Sequence, residues 1–243
     1  MVGDRIKRVS ANLNRVRERM EKAARAAGRD PADVKLVVVT KTQSLEAVND
    51  AVLGGARLFG ENYAEEALPK INTFQHKDGI QWHMIGHIQS RKARLVSENF
   101  DLVQSLDSLK LAVRLDSFCE QRDRPLPVLL EFNLSGEETK FGWHSADEKR
   151  WGELIPELSQ VMSLAHLQIE GLMTMPPLFD APELTRPFFR KLVFLRDFLR
   201  RELPGSQWDE LSMGTSADFE IAIQEGATMV RIGQAIFGRR PSG

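Results

Sequence analysis

The 243-residue sequence has few of the features that mark secreted, membrane-bound or metal-binding proteins. A single cysteine, Cys119, excludes a disulfide bond within the chain. The net charge of −1, with both signs spread along the chain, gives no electrostatic case for binding nucleic acid or a membrane surface. No apolar run approaches the roughly 20 residues of a membrane span, and the charged N-terminus lacks the apolar core of a signal peptide. Without a Cys/His cluster we expect no metal site, and a cytoplasmic protein is the default.

What the sequence does contain is a regular alternation of strands and helices. Residues 4–27 carry apolar side chains at helical spacing, and Gly28 is expected to end this first helix. Eight short apolar strands then alternate with helices. They are predicted at Val34–Thr40, Arg57–Gly60, Gln81–Ile85, Asp101–Gln104, Pro127–Phe132, Leu167–Met173, Glu210–Ser212 and Thr228–Ile232.

This alternation predicts an α/β fold, a single (β/α)8 TIM barrel with an extra N-terminal helix. The competing doubly wound sheet usually has fewer strands and a glycine-rich turn after its first strand. Here that turn, residues 41–44, contains no glycine. No linker or low-complexity segment interrupts the pattern, so we expect residues 1–243 to form one domain.

Two basic residues lie in or directly after strands that are predicted to be buried. In a barrel of this kind the active site lies at the C-terminal ends of the strands, where Lys41 follows the first strand. A partly desolvated lysine is nucleophilic and forms Schiff bases with carbonyl compounds. Arg231 lies within the last strand, on the same face as Met229, and its burial requires either an ion pair or a ligand.

The loops after the last two strands are small and rich in hydroxyl groups, which suits a phosphate. The candidate phosphate residues are Ser212, Gly214, Thr215, Ser216, Gly233 and Gln234. The alternative is that Ser216 only caps a helix. A phosphate here and an aldehyde at Lys41 together describe a phosphorylated aldehyde, and Arg231 would then hydrogen-bond the ring nitrogen of pyridoxal phosphate.

Seven short segments, spread almost end to end along the chain, carry a family resemblance. They are Val39–Thr42, Phe59–Tyr63, Trp82–Gly86, Gly171–Met175, Leu211–Asp218, Met229–Gly233 and Ala235–Gly238. In these segments and in their order the sequence resembles the pyridoxal phosphate homeostasis proteins, relatives of the N-terminal barrel of alanine racemase, which has fold type III.

The resemblance implies a monomeric or weakly associating barrel that takes part in intracellular storage and delivery of pyridoxal 5'-phosphate, with pyridoxal phosphate-dependent apoenzymes as partners. The cofactor would be held on Lys41 as a Schiff base. Its phosphate would lie on Ser216 and on backbone amides near Gly214, Gly233 and Gln234, and Arg231 would face the pyridine nitrogen. Asn62, His83, Ser212 and Thr215 complete the candidate cofactor site. Glu61 and Asn62 either order the lysine and cofactor or only cap the next helix.

Three functions are consistent with these features of the sequence. Arginine stays protonated and cannot pass a proton to the pyridine ring, and the only tyrosine, Tyr63, has no evident role as a second base. These points favour cofactor handling without substantial amino-acid turnover. The first alternative is a weak or specialised racemase that uses Lys41 with water or Tyr63. The second is a Schiff-base aldolase for sugar phosphates, which leaves Arg231 unexplained.

Overall fold

The computed structural model describes residues 2–74, 79–122 and 125–238, except for the side chains of residues 2 and 3. The strands within these ranges are β1 (Lys35–Val39), β2 (Leu58–Glu61), β3 (Gln81–Met84), β4 (Leu102–Leu106), β5 (Leu126–Asn133), β6 (Trp143–His144), β7 (Leu167–Met173), β8 (Glu210–Ser212) and β9 (Met229–Ile232). The helices are α1 (Val2–Ala26), α2 (Leu45–Leu53), α3 (Ala64–Phe74), α4 (Ala93–Asn99), α5 (Leu109–Cys119), α6 (Ile155–Met162), α7 (Arg186–Glu202), α8 (Phe219–Gln224) and α9 (Gln234–Phe237).

Eight of the strands form a closed parallel barrel. Neighbouring strands run in the order β4-β3-β2-β1-β9-β8-β7-β5, and pairing between β4 and β5 closes the circle. Closure in this order confirms the (β/α)8 barrel predicted from the sequence.

The additional strand β6 was not predicted, because two residues are too few to show a period. It pairs with the end of β5, where Phe132 is in register with Trp143. Gly142, with φ +99°, makes this approach possible. A Cβ atom there would lie 2.6 Å from the Glu131 carbonyl oxygen, so any other residue would push β6 away from β5.

The N-terminal helix packs on the outside of the barrel. Val9, Leu13, Val16 and Met20 on one face of α1 are buried, as their spacing predicts. Gly28 ends the helix with φ +69°, and Arg29 donates its backbone N–H to the Ala24 carbonyl oxygen at 2.9 Å. The predicted extra helix is therefore confirmed.

The barrel interior is apolar towards the N-terminal ends of the strands and polar towards their C-terminal ends, which form the mouth of the barrel. Val37, Leu102, Leu129, Met173 and Met229 pack together inside the strands. One step further along the same faces of their strands come Gln104, Glu131 and Arg231, all buried. The predicted alternation of β9 is confirmed, because Met229 and Arg231 face inward while Val230 and Ile232 pack in the outer core.

Gly171 in β7 marks the closest approach between two strands. A Cβ atom there would lie 1.9 Å from the backbone oxygen of Glu210 in β8. We expect Gly171→Ala to lower the free energy of unfolding by about 1–3 kcal/mol, as overpacking typically does. The control is Gly152→Ala, where nothing lies within 4 Å. Urea unfolding measures both, and a Gly171→Ala protein as stable as the control would contradict the strand spacing.

Candidate functional site at the mouth of the barrel

A cavity of about 1160 Å³ lies at the C-terminal ends of the strands. Seven of the ten residues predicted to bind a cofactor line it: Lys41, Asn62, Thr215, Ser216, Arg231, Gly233 and Gln234. Its lining does not include His83, Ser212 or Gly214. The structure therefore brings together the lysine, the arginine and both hydroxyl-rich loops, which are far apart in the sequence.

The half-buried Lys41 follows β1 and is flanked by two tethered threonines. Thr40 donates its hydroxyl to Glu61 Oε1 at 2.7 Å. Lys70 donates to the Thr40 carbonyl oxygen at 2.8 Å, to Glu61 Oε1 at 2.9 Å and to Glu66 Oε1 at 2.9 Å. Burial raises the pKa of Glu61, and the bonds from Thr40 and Lys70 oppose that rise. Glu61 thus orders the strand end that carries Lys41.

Thr42, directly after Lys41, has φ +63°. This is an unfavourable conformation for a β-branched residue, and such strain persists only where the surroundings impose it. The backbone N–H of Thr42 donates to Glu66 Oε1, the oxygen that also accepts from Lys70. The direction in which the chain leaves Lys41 is therefore set by the same buried charges.

Arg231 is 4% exposed and is held by uncharged acceptors. Its guanidinium donates to Ser212 Oγ, to the Thr174 carbonyl oxygen at 2.9 Å and to the Met175 sulfur at 2.8 Å. These bonds use three of its five N–H groups. Within the described residues Arg231 makes no ion pair, so the structural ion pair considered from the sequence is not found. Burial lowers the pKa of Arg231 to about 10, and the group stays protonated at neutral pH.

His83 and Ser212 lie beneath the cavity in a chain of hydrogen bonds that starts at Arg231. Ser212 Oγ donates to Gln104 Oε1 at 2.6 Å, and Gln104 Nε2 donates to His83 Nδ1 at 2.9 Å. Burial lowers the pKa of His83 to about 3, so its imidazole is neutral and accepts at Nδ1. The chain fixes the orientation of the Arg231 guanidinium. Gln104 was missed in the sequence, although it is a polar residue on the inward face of β4.

The two hydroxyl-rich loops are joined to each other. Ser216 Oγ accepts the backbone N–H of Ala235 at 3.2 Å, across the two loops. Ser216 does not cap α8, whose N-cap position is Asp218, and its hydroxyl contacts the first turn of α9 instead. Asp218 Oδ1 accepts from the backbone N–H of Thr215 at 2.7 Å and from its hydroxyl at 3.0 Å.

Gly214 and Gly233 give these loops their close packing. Gly214 has φ +92°, and a Cβ there would lie 2.5 Å from the Ala222 methyl group. A Cβ on Gly233 would lie 3.1 Å from the Val39 carbonyl oxygen. Gln234 begins α9 and lines the cavity, so its backbone N–H has no acceptor inside the helix. This arrangement provides backbone donors for an anion at the side of the cavity formed by β8 and β9.

Asn62 has an unmet hydrogen-bonding capacity. Its Oδ1 atom is buried and has no hydrogen-bond partner in the described part of the chain. The backbone of Asn62 is fixed against Gly86, where a Cβ atom would lie 2.5 Å from the Asn62 carbonyl oxygen. A buried acceptor without a donor is costly, so a ligand with an O–H or N–H group fits at this position.

Glu131 is a second residue that sequence reasoning missed. It lies in β5 on the inward face and is only 9% exposed. Burial and, to a smaller extent, the nearby charge of Asp107 raise its pKa to about 7, against the opposing charge of Arg231. The sequence could have indicated Glu131, because a carboxylate in a buried strand, like the guanidinium of Arg231, requires an ion pair or a ligand.

Replacing Glu131 by glutamine is expected to stabilise the protein at alkaline pH. The folded pKa of about 7 exceeds the ordinary value of 4.5, so stability falls as the pH rises from 4.5 to 7. The loss amounts to about 3 kcal/mol at about 1.4 kcal/mol per pKa unit. Arg231, Asp107 and Lys140 are the charged groups around Glu131. Glu131→Gln should therefore be more stable than the wild type at pH 8 and equal to it near pH 5, as measured by urea unfolding. Equal stability at both pH values would contradict this assignment.

Three further expectations from the sequence concern metal ions, membrane-spanning helices and the single cysteine. Among the described residues no cluster of three or more His, Cys, Asp or Glu side chains is placed to hold a metal ion. None of the described helices is both long and apolar enough to cross a membrane. Cys119 is buried, and burial raises its pKa to about 11, which makes its thiol unreactive.

Comparison with known proteins identifies the family. The sequence profile of the alanine racemase N-terminal domain family matches residues 11–241. The pyridoxal phosphate homeostasis protein of Haemophilus influenzae is 39% identical over 233 residues, which cover 96% of each chain. The chain belongs to the pyridoxal phosphate homeostasis protein family. The Escherichia coli K12 family member is 40% identical over 236 residues, 96% of this chain and 97% of its own. The resemblance stated from the sequence motifs is confirmed.

Solved structures of family members and relatives have the same fold. PipY of Synechococcus elongatus with pyridoxal phosphate bound matches with a TM-score of 0.80 and 33% identity, over 95% of this chain and 100% of PipY. A protein from Bifidobacterium adolescentis matches with a TM-score of 0.86 and 31% identity, over 96% of both chains. An alanine racemase of Clostridium difficile reaches a TM-score of 0.70 at 16% identity, over 97% of this chain and 60% of the racemase, and shows the fold alone.

Proposed function

We propose that this family member binds pyridoxal 5'-phosphate and takes part in its intracellular storage and delivery, without substantial amino-acid turnover. The observation that carries the proposal is the convergence of Lys41, Arg231, Ser216 and Gly233 on one cavity. A relative supports it, because PipY was solved with pyridoxal phosphate bound and is 33% identical to this chain. The buried Oδ1 of Asn62, which has no hydrogen-bond partner among the described residues, fits a ligand in this place.

Each predicted residue has a role in this proposal. Lys41 holds the cofactor through a Schiff base, and Arg231 faces the pyridine nitrogen with its remaining N–H groups. Ser216, Thr215 and the backbone around Gly214, Gly233 and Gln234 hold the phosphate. Asn62 accepts a hydrogen bond from the bound molecule. His83 and Ser212 act from beneath, because the chain through Gln104 orients Arg231.

The electrostatics of the site disfavour turnover. When bound, pyridoxal phosphate withdraws electrons from an amine attached at its aldehyde carbon. Arg231, with a pKa of about 10, keeps its protons at neutral pH and leaves the ring nitrogen unprotonated. Tyr63 lines the rim of the cavity but is 59% exposed, and no described residue holds its hydroxyl in place. A racemase needs an ordered acid or base on each face of the substrate α-carbon.

Solvent exchange separates cofactor handling from racemisation. The protein loaded with pyridoxal phosphate is incubated with L-alanine in D2O, and deuterium at the α-carbon is followed by NMR. We expect exchange no faster than with free pyridoxal phosphate, together with transfer of the cofactor to an added apoenzyme. Rapid exchange that is lost in Tyr63→Phe would establish the racemase alternative instead. Failure to bind the cofactor at all would favour the sugar-phosphate aldolase.

The setting of this activity is proposed on the same basis. We infer a cytoplasmic monomer whose residues 1–243 form one domain and whose partners are apoenzymes that depend on pyridoxal phosphate. The buried, unreactive Cys119 is compatible with a reducing compartment. Size-exclusion chromatography with light scattering tests the monomer, and a dimer at micromolar concentration would contradict it.

A further inference from the structure

A second, smaller chamber of about 200 Å³ adjoins the main cavity. The two cavities share Phe141 and Met175 in their linings. The remaining residues of the chamber are Glu131, Phe132, Asn133, Thr139 and Lys140. None of the residues proposed to bind the cofactor lines it. At about 30 Å³ for each water molecule, the chamber has room for a molecule of only a few heavy atoms.

The Glu131 carboxyl group is the chamber's unsatisfied polar group. It is more than nine-tenths buried. No hydrogen bond or ion pair to this carboxyl is found among the residues that the structure describes, and Glu131 lines the chamber. The positive charge of Arg231 acts on it from a distance, while its guanidinium donates to Ser212, Thr174 and Met175. When it is ionised, a carboxylate so deeply buried requires a donor or a counter-ion.

The Asn133 amide and the Lys140 ammonium group in the chamber lining already have partners. Asn133 Nδ2 donates to the Glu137 carbonyl oxygen at 2.8 Å, and Asn133 Oδ1 accepts from Gly136 N at 3.0 Å. Lys140 forms an ion pair with Glu137 at 2.7 Å and donates to the Met175 carbonyl oxygen at 3.2 Å. The charge of Lys140 is therefore balanced outside the chamber and does not compensate Glu131.

We propose that this chamber binds the primary ammonium group of a small amine, with the Glu131 carboxylate as its acceptor and counter-ion. An ammonium group brings both the positive charge and the N–H donors that the carboxylate lacks. The small volume restricts the ligand to a short alkylamine or a small amino acid.

This site goes beyond cofactor handling, because no residue proposed to bind the cofactor lines the chamber. It places an amine next to Met175, whose sulfur contacts Arg231 in the main cavity. The two sources of an ammonium group differ in charge, since an amino acid also carries a carboxylate.

Calorimetric titration of the cofactor-free protein at pH 8 tests the proposal. The probes are ethylammonium chloride, L-alanine, and tetramethylammonium chloride, which carries the charge but has no N–H donor. The variant is Glu131→Gln. The control is Glu138→Gln, which removes an exposed carboxylate of the same loop that does not line the chamber.

We expect saturable binding of ethylammonium or L-alanine to the wild type and to Glu138→Gln, at least about tenfold weaker binding to Glu131→Gln, and none of tetramethylammonium. Tighter binding of L-alanine than of ethylammonium would support the proposal with an amino acid as the ligand, and the reverse order would support it with a simple amine. Equal binding to Glu131→Gln, equal binding of tetramethylammonium, or no saturable binding of either amine would overturn it.

Discussion

Replacing Lys41 by alanine should abolish the visible absorption band of the protein loaded with pyridoxal phosphate. The band depends on a covalent bond between the lysine Nζ and the cofactor's aldehyde carbon. Lys41 is the lysine that lines the cavity just after the end of β1. Non-covalent contacts at Ser216 and Arg231 remain in the variant. We therefore expect residual, weaker binding of the cofactor, seen as free-aldehyde absorption after gel filtration.

The control for this variant is Lys92→Ala. Lys92 also lines the cavity, and it is paired with Glu65. Its loss removes a positive charge from the lining without touching β1, so the visible band should persist. Loss of the band in both variants would mean that the cavity needs only positive charge. Persistence of the band in Lys41→Ala would contradict the assignment of the lysine.

Replacing Lys70 by methionine should lower the free energy of unfolding by about 3–5 kcal/mol at neutral pH, because it leaves a buried carboxylate without its cation. Lys70 and Glu61 are 5% and 0% exposed in their side chains, and Glu61 Oε2 already lacks a partner among the described residues. The loss should shrink as the pH falls and Glu61 takes up a proton, since burial raises the pKa of that group.

Two further proteins make this prediction specific. The double variant Lys70→Met with Glu61→Gln removes both charges and should recover most of the lost stability. Lys92→Met breaks a half-exposed ion pair and should cost no more than about 1 kcal/mol. We also expect Lys70→Met to weaken cofactor binding, because the Thr40 carbonyl oxygen loses its donor and the two glutamates that hold Thr40 and Thr42 lose their shared cation. Unchanged stability in urea would show that the pair does not hold the end of β1.

The barrel could be predicted from the sequence because its strands are short, apolar and regularly spaced. Each prediction of a strand end was correct to within two residues, and β7 was identical. The helices of the barrel were less regular, since several begin with a 3₁₀ turn, as at Ser90–Lys92 before α4 and Pro182–Thr185 before α7. Such turns carry the same apolar spacing as the helix and are not distinguished by it.

The candidate site could be predicted only in part. Lys41 and Arg231 were recognised because a charged residue next to an apolar strand is costly. A similar argument applied to Glu131 in β5 and to the polar Gln104 in β4, but neither lies in a segment that matches the family. Their importance depends on which strands are neighbours across the barrel. Gln104 joins His83 to Ser212 only because β3, β4 and β8 face one interior.

The network around Lys70 shows the same limit. The sequence left open whether Glu61 orders the lysine or caps a helix, and its side chain bonds to Thr40 and Lys70. Lys70 lies on the inner face of α3, where a lysine normally extends to solvent. Only the position of α3 over the ends of β1 and β2 makes its burial possible. The strained backbone of Thr42 was likewise not predictable, since no glycine or asparagine marks it.

The central claim is that Lys41 carries the cofactor at the mouth of the barrel. Borohydride reduction of the protein loaded with pyridoxal phosphate, followed by proteolysis and mass spectrometry, tests it most directly. We predict one modified peptide, with the reduced adduct on Lys41, and loss of that adduct when inorganic phosphate competes at high concentration. An adduct found mainly on Lys92, Lys140 or another lysine, or no adduct at all, would contradict the account.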